Sequence, residues 1–159
     1  MATPQRLETV RRLQVAMASA YAGLGAWCLF HPHSVIALGF TPRYAATVTS
    51  SAVTHLITRC FGAQAMTCGL VLGTSDMTAF SFTAFGLAMI PYIGWNFWFG
   101  IGPARGMITR WMWLDFIGNL FFMGGSLWCA KVLRVEAKPK GSGDEKKEPP
   151  AAPVPTVGL

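Results

Sequence analysis

Long apolar runs separated by short polar breaks set the pattern of this chain. A polar opening, Met1 to Arg12, carries Arg6, Arg11 and Arg12, and a charge-free, largely apolar run follows from Leu13 to Phe30. At about 1.5 Å per residue that run nearly covers a hydrocarbon core of roughly 30 Å, which predicts a membrane span rather than a helix of a soluble core. The small-x-small sites around Ala18-Ser19-Ala20 leave too short an apolar stretch for a cleaved signal peptide, so the run is expected to remain as an anchor. His31-Pro32-His33 ends it, because proline disfavours helical geometry in the residue before it. Gly39 and Pro42 then predict an irregular or briefly re-entrant stretch.

A second run extends from about 51 to 72, a tight turn follows at Gly73-Thr74-Ser75-Asp76, and a third run covers about 79 to 99 with a kink near Pro91. Gly100, Gly102, Pro103 and Gly106 make the next break, and a fourth run covers about 111 to 133. Connections this short make neighbouring spans antiparallel. The expectation is an all-α, integral membrane four-helix bundle, up-down-up-down, over 13–133, preceded by the polar segment 1–12. From Arg134 the composition turns to Lys, Glu, Pro, Gly and Ala, so 134–159 is expected to be disordered unless a partner orders it.

Composition strengthens this reading: 52% of the chain is apolar and only 13% charged, too little charge to cover the surface of a soluble domain. The formal net charge of +6 comes from cations that flank the apolar runs, which fits topology and anionic lipid head groups and argues against nucleic acid. The N-terminal segment holds three Lys or Arg and the C-terminal one six (Lys131, Arg134, Lys138, Lys140, Lys146 and Lys147), while the second connection holds none. The opposite side has Arg43, Arg105 and Arg110. Both termini are therefore expected on the positive-inside face, matrix or cytoplasmic. Cys28, Cys60, Cys68 and Cys129 lie in apolar stretches without a Cys-x-x-Cys pair, which predicts reduced packing residues and excludes a thiol-quinone oxidoreductase.

Arg59 and Asp115 are the residues of fixed charge well inside the expected spans, and facing lipid would cost each a few kcal/mol or more. Both fall one to two turns from the same membrane face, which allows a direct ion pair or a shared pocket. His55 shares a helix face with Arg59, Asn119 shares one with Asp115, and Asn96 lies at the same level, with Tyr92 a turn below. One polar cluster of these residues is predicted, either a structural lock that fixes helix order or a ligand pocket. Ion conduction is disfavoured because the other half of the membrane lacks ionisable groups. His31 and His33 supply too few donors for a metal site, and no cofactor is implied. Trp27, Trp95, Trp98, Trp111, Trp113 and Trp128 read as an aromatic belt. Ala18, Ala22, Ala26, Gly69, Gly73, Gly118 and Gly125 permit close helix approach.

Pro32 through Gly39-Phe40, followed by Arg59-Cys60-Phe61-Gly62 in a helix that continues to Gly69, resembles the pattern of small DoxX-like four-helix membrane proteins over the first two spans. That resemblance implies a bundle and no particular activity, and the Lys-Pro-rich tail departs from it. With no catalytic constellation in view, the leading expectation is a non-catalytic accessory subunit of a larger membrane complex. Lipids and other subunits would be its partners, with 134–159 as a contact segment and the mitochondrial inner membrane as a setting. The alternative is a lipid- or small-molecule-binding protein, or an enzyme, that uses the polar cluster.

Overall fold

A computed structural model describes residues 4–102 and 105–137. Its helices are α1 (Pro4–Phe30), α2 (Pro32–Gly39), α3 (Pro42–Thr49), α4 (Ala52–Thr74), α5 (Ala79–Ala88), α6 (Ile90–Gly100) and α7 (Met112–Ala137). Three of them, α1, α4 and α7, are long and apolar enough to cross a membrane. The expected segment 134–159 lies outside the described residues after Ala137.

Two expectations change in the connections. The stretch after α1 is helical rather than irregular, because Pro32 and Pro42 each sit in the first turn of an eight-residue helix. At that position the missing N–H is no loss and the fixed φ already suits the helix, so these prolines start helices. The third apolar run is divided. Pro91 cannot donate to the carbonyl four residues back, and the chain breaks at Met89, whose N–H bonds to the Gly86 carbonyl at 3.2 Å. The halves, of 10 and 11 residues, are each too short to cross a bilayer. Both run along α7 in one antiparallel register, from Thr83 beside Arg134 to Asn96 beside Asp115, and 22 residues end to end would extend about 33 Å.

The closest packing lies between antiparallel α1 and α4. A Cβ on Gly62 would stand 2.6 Å from the Gly25 carbonyl oxygen, and one on Gly69 would stand 2.8 Å from that of Ala18. Glycine is required at both positions because what a methyl would meet is backbone, which cannot swing aside. The seven-residue spacings of Ala18 to Gly25 and Gly62 to Gly69 hold these contacts on one stripe of each helix. Of the small residues the sequence pattern pointed to, Ala18, Ala22, Gly69 and Gly73 lie in the seam, a Cβ on Gly73 standing 3.1 Å from that of Ala18. The seam also uses Gly25 and Gly62, while Ala26 is only half-buried and a Cβ on Gly118 would meet nothing within 4 Å.

On its other flank α1 packs against α7. Tyr21, Phe122 and Phe85 meet edge to face, with centroids 5.4 to 6.4 Å apart, joining α1, α7 and α5. Fully buried Met17 and Ser126 face each other one turn below, the hydroxyl 3.7 Å from the thioether sulfur. Cys28 and Cys129 are packed inside as expected, whereas Cys60 and Cys68 are exposed. The helices thus stand in the order α4, α1, α7, α5–α6, and α4 forms no packing seam with α5 or α6.

Both ends of this array are tied by polar contacts. At the loop end, Phe40 and Ile108 form an isolated antiparallel bridge, with Thr41 N–H on the Met107 carbonyl and Thr109 N–H on the Gly39 carbonyl, each at 2.9 Å. The Thr41 hydroxyl adds a bond to the Gly106 carbonyl at 2.8 Å, and the Thr109 hydroxyl donates to the Leu38 carbonyl. Gly106 turns the chain at φ +95°, where a side chain would be strained. At the terminal end, the buried Gln14 amide donates to the carbonyls of Leu72 at 2.6 Å and Ser75 at 2.9 Å, satisfying acceptors that the end of α4 leaves open.

Gly62→Ala should lower stability by about 1–3 kcal/mol, the usual cost of overpacking, while Gly23→Ala, whose Cβ meets nothing within 4 Å, should not destabilise. Reversible unfolding in mixed micelles measures both. In the same assay Gln14→Leu should cost about 1–3 kcal/mol by stranding two carbonyls.

Candidate functional site

The residues expected to form one polar cluster occupy two places. Asp115 lies in the first turn of α7, where the positive end of the helix dipole favours its charge. Its Oδ2 accepts from the Asn96 amide at 2.8 Å and from the Asn119 amide at 3.2 Å. Asn96 comes from α6 and Asn119 lies one turn along α7; both are buried. This trio pins α6 to α7 beyond the break at Met89. Tyr92 does not join it and is 44% exposed.

Arg59 and His55 are elsewhere. Arg59 is exposed, and among the described residues the single ion pair is that of Arg12 with Glu8 at 2.6 Å, on the surface and worth little. A direct Arg59 to Asp115 pair is therefore absent, and the reason is helix order. Gly62 meets α1 at Gly25, Cys28 and Leu29, so Arg59, three residues earlier on antiparallel α4, stands near the level of Phe30. Asp115, two turns before Phe122, reaches the level of Cys28 on the far side, because Phe122 meets Tyr21 and Cys28 lies two turns beyond Tyr21. The two charges lie at similar heights and α1 stands between them.

His55 packs against the α3–α4 turn. Its Nε2 lies 2.8 Å from the Thr49 carbonyl, which can only accept, so that nitrogen carries the proton. The rings of His33 and His55 are 6.2 Å apart, yet no group of three His, Cys, Asp or Glu capable of holding a metal occurs among the described residues.

The spaces beside the two groups differ. A cleft of about 210 Å³ lies between α6, the 106–110 loop and α7, lined by Asn96, Thr109, Arg110, Trp113 and Phe116 among others. It is below the roughly 300–1,000 Å³ of ordinary ligand sites, and Asp115 is not among its lining residues. A larger, open recess of about 460 Å³ lies at the other group, lined by Thr49, Ser50, Ala52, His55, Leu56 and Arg59. Asp115 is thus tied to Asn96 and Asn119, of which Asn96 also borders the smaller cleft, and Arg59 faces the roomier space.

Gln14 was not singled out from the sequence, although a lone amide within an apolar run is a signal that some acceptor must be found for it. The threonine clasp at the loop end had no sequence signal, because its partners are backbone groups 65 to 71 residues apart.

No family model, no curated protein and no solved structure matches the chain.

Because this trio and Arg59 share no contact, Asp115→Ala and Arg59→Gln should act independently. A double-mutant cycle in the unfolding assay is expected to give a coupling within about 0.5 kcal/mol, as for separated sites. A larger coupling would mean that the two charges meet in the membrane.

Proposed function

We propose that this chain is an integral membrane protein of four crossings, with both termini on the positive-inside face, that serves as a non-catalytic subunit of a larger membrane assembly. The observation that carries the reading is how the polar side chains within the helices are used. Asp115 is held by two asparagines, Gln14 serves the end of α4, and Ser126 faces Met17. These groups are spent on joining helices rather than on facing a reaction space. The fourth crossing is the α5–α6 rod, which parallels α7 over most of its length. The charge asymmetry of the connections favours the orientation, and the loop clasp favours placing both long loops on one side, here the outer side.

A subunit role is supported by the incomplete ring of helices. Among the described residues, α4 outside its contact with α1 is covered only near its start, by α2 and α3. It exposes Val53, Ile57, Phe61, Leu70 and Val71, and no α5–α6 helix closes its free flank. A partner's helix would complete the ring there, and the basic segment 134–159 would supply a second contact on the inner side. An energy-transducing membrane such as the mitochondrial inner membrane is the setting this reading favours.

Purification from native membranes in a mild detergent tests it. A species of constant composition, larger than the 17.2 kDa chain, is expected, and deleting residues 138–159 should weaken it. A chain that runs alone as a monomer overturns the subunit role.

A further inference from the structure

Among the described residues Arg59 has no counter-ion. Asp115 is on the far flank of α1, Glu8 is paired with Arg12, and Asp76 follows α4 at the opposite end of that helix. Arg59 lies seven residues below the start of α4, roughly 10 Å along the axis, deep enough in a bilayer for an unmatched charge to be costly. A long cationic side chain at such a position turns toward the interface and finds an anion there. Side chains also lean toward the N-terminus of their helix, which for α4 is the loop end.

We propose that the recess along the first turns of α4 seats the phosphate of an anionic phospholipid, with Arg59 as its counter-ion. The proposal rests on the membrane placement given above and goes beyond the subunit role, since it assigns a lipid site to the chain. Three observations carry it. The recess is a broad, open surface depression of about 460 Å³, a shape that suits a head group resting at the protein's edge rather than an enclosed ligand. Arg59 shares its lining with Thr49 and Ser50 of the α3–α4 turn, which places the guanidinium in one space with the interfacial turn. Ala52, His55, Leu56 and Arg59 recur at the three- and four-residue spacings of a single helix face, so the polar residues adjoin an apolar wall on the lipid-facing side.

The chemistry favours phosphate over other anions. Guanidinium donates two parallel N–H groups to a tetrahedral oxyanion, and it is more weakly hydrated than an ammonium, so it tolerates the dry side of the interface. His55 has its Nε2 proton committed to the Thr49 carbonyl, which fixes its ring as one wall of the recess. Trp27, on α1 near the same depth, is partly exposed and belongs to the aromatic belt that marks the head-group region.

Native mass spectrometry of the detergent-purified full chain, titrated with phosphatidylglycerol, phosphatidylcholine or inorganic phosphate, tests this. One phosphatidylglycerol should be retained more tightly than phosphatidylcholine. Arg59→Gln should weaken retention about tenfold, as expected for loss of one charge-assisted contact. Arg59→Lys should fall between, and Arg110→Gln, which removes another exposed cation at the loop end, should change little. Competition by millimolar inorganic phosphate would identify a free phosphate as occupant and overturn the lipid assignment. Equal losses for Arg59→Gln and Arg110→Gln would overturn the site, by showing only general attraction of anionic lipid to a basic surface. Unchanged unfolding of Arg59→Gln in lipid-free micelles is expected; a destabilised variant is replaced by Arg59→Met, for which the same loss of phosphatidylglycerol is required. Recovery of the chain in the soluble fraction without detergent would instead overturn the membrane placement on which the proposal rests.

Discussion

The backbone-to-backbone approach of α1 and α4 is the constraint on which the remaining arrangement depends. Within lipid there is no hydrophobic gain from joining two apolar helices, so close packing and polar contacts must hold them. Gly25, Gly62 and Gly69 remove the side chains that would keep the axes apart, and the antiparallel register they set brings Gln14 to the end of α4. With α4 fixed on one flank, α1 has its other flank free for α7. The aromatic contacts of Tyr21, Phe85 and Phe122 then bring in α5.

This order of helices decides the fate of the two charges within the helices. A closed square of four helices would allow α4 and α7 to meet diagonally and neutralise Arg59 with Asp115. In the observed row, α1 separates them, and each finds a different solution. The carboxylate is satisfied inside the protein by neutral amides and by its place at a helix start, whereas the guanidinium opens on a recess at the edge. A membrane protein can leave a cation at its rim more readily than an anion, because phosphates line both interfaces.

The sequence was most legible where one physical rule acted alone. Apolar length marked α1, α4 and α7, and the proline at position 91 marked the break between α5 and α6. Legibility failed where two rules competed. Pro32 and Pro42 are breakers by one rule and helix starters by another, and the second prevailed because each follows a residue, His31 or Thr41, that ends the preceding segment. Asp115, Asn96 and Asn119 were recognisable as a group from depth and helix face, and the same argument admitted Arg59 and His55 wrongly. Depth follows from position along a helix, but which helix is the neighbour depends on small residues such as Gly62, whose role emerges only when the partner backbone is in place.

For a chain that crosses a membrane as proposed above, the threonine clasp between the two loops has a consequence for insertion. Residues 38–41 are made long before residues 106–109, so the first loop must wait, with its bridge unpaired, until the last helix is being synthesised. The bridge closes only when both loops emerge on the same side. A second half inserted upside down would leave Gly39 and Thr41 without their partners and the two helix pairs joined at one end only. On the proposed placement the clasp would act as a late inspection of topology, rewarding a correctly inserted chain after the point at which charge counting could have erred.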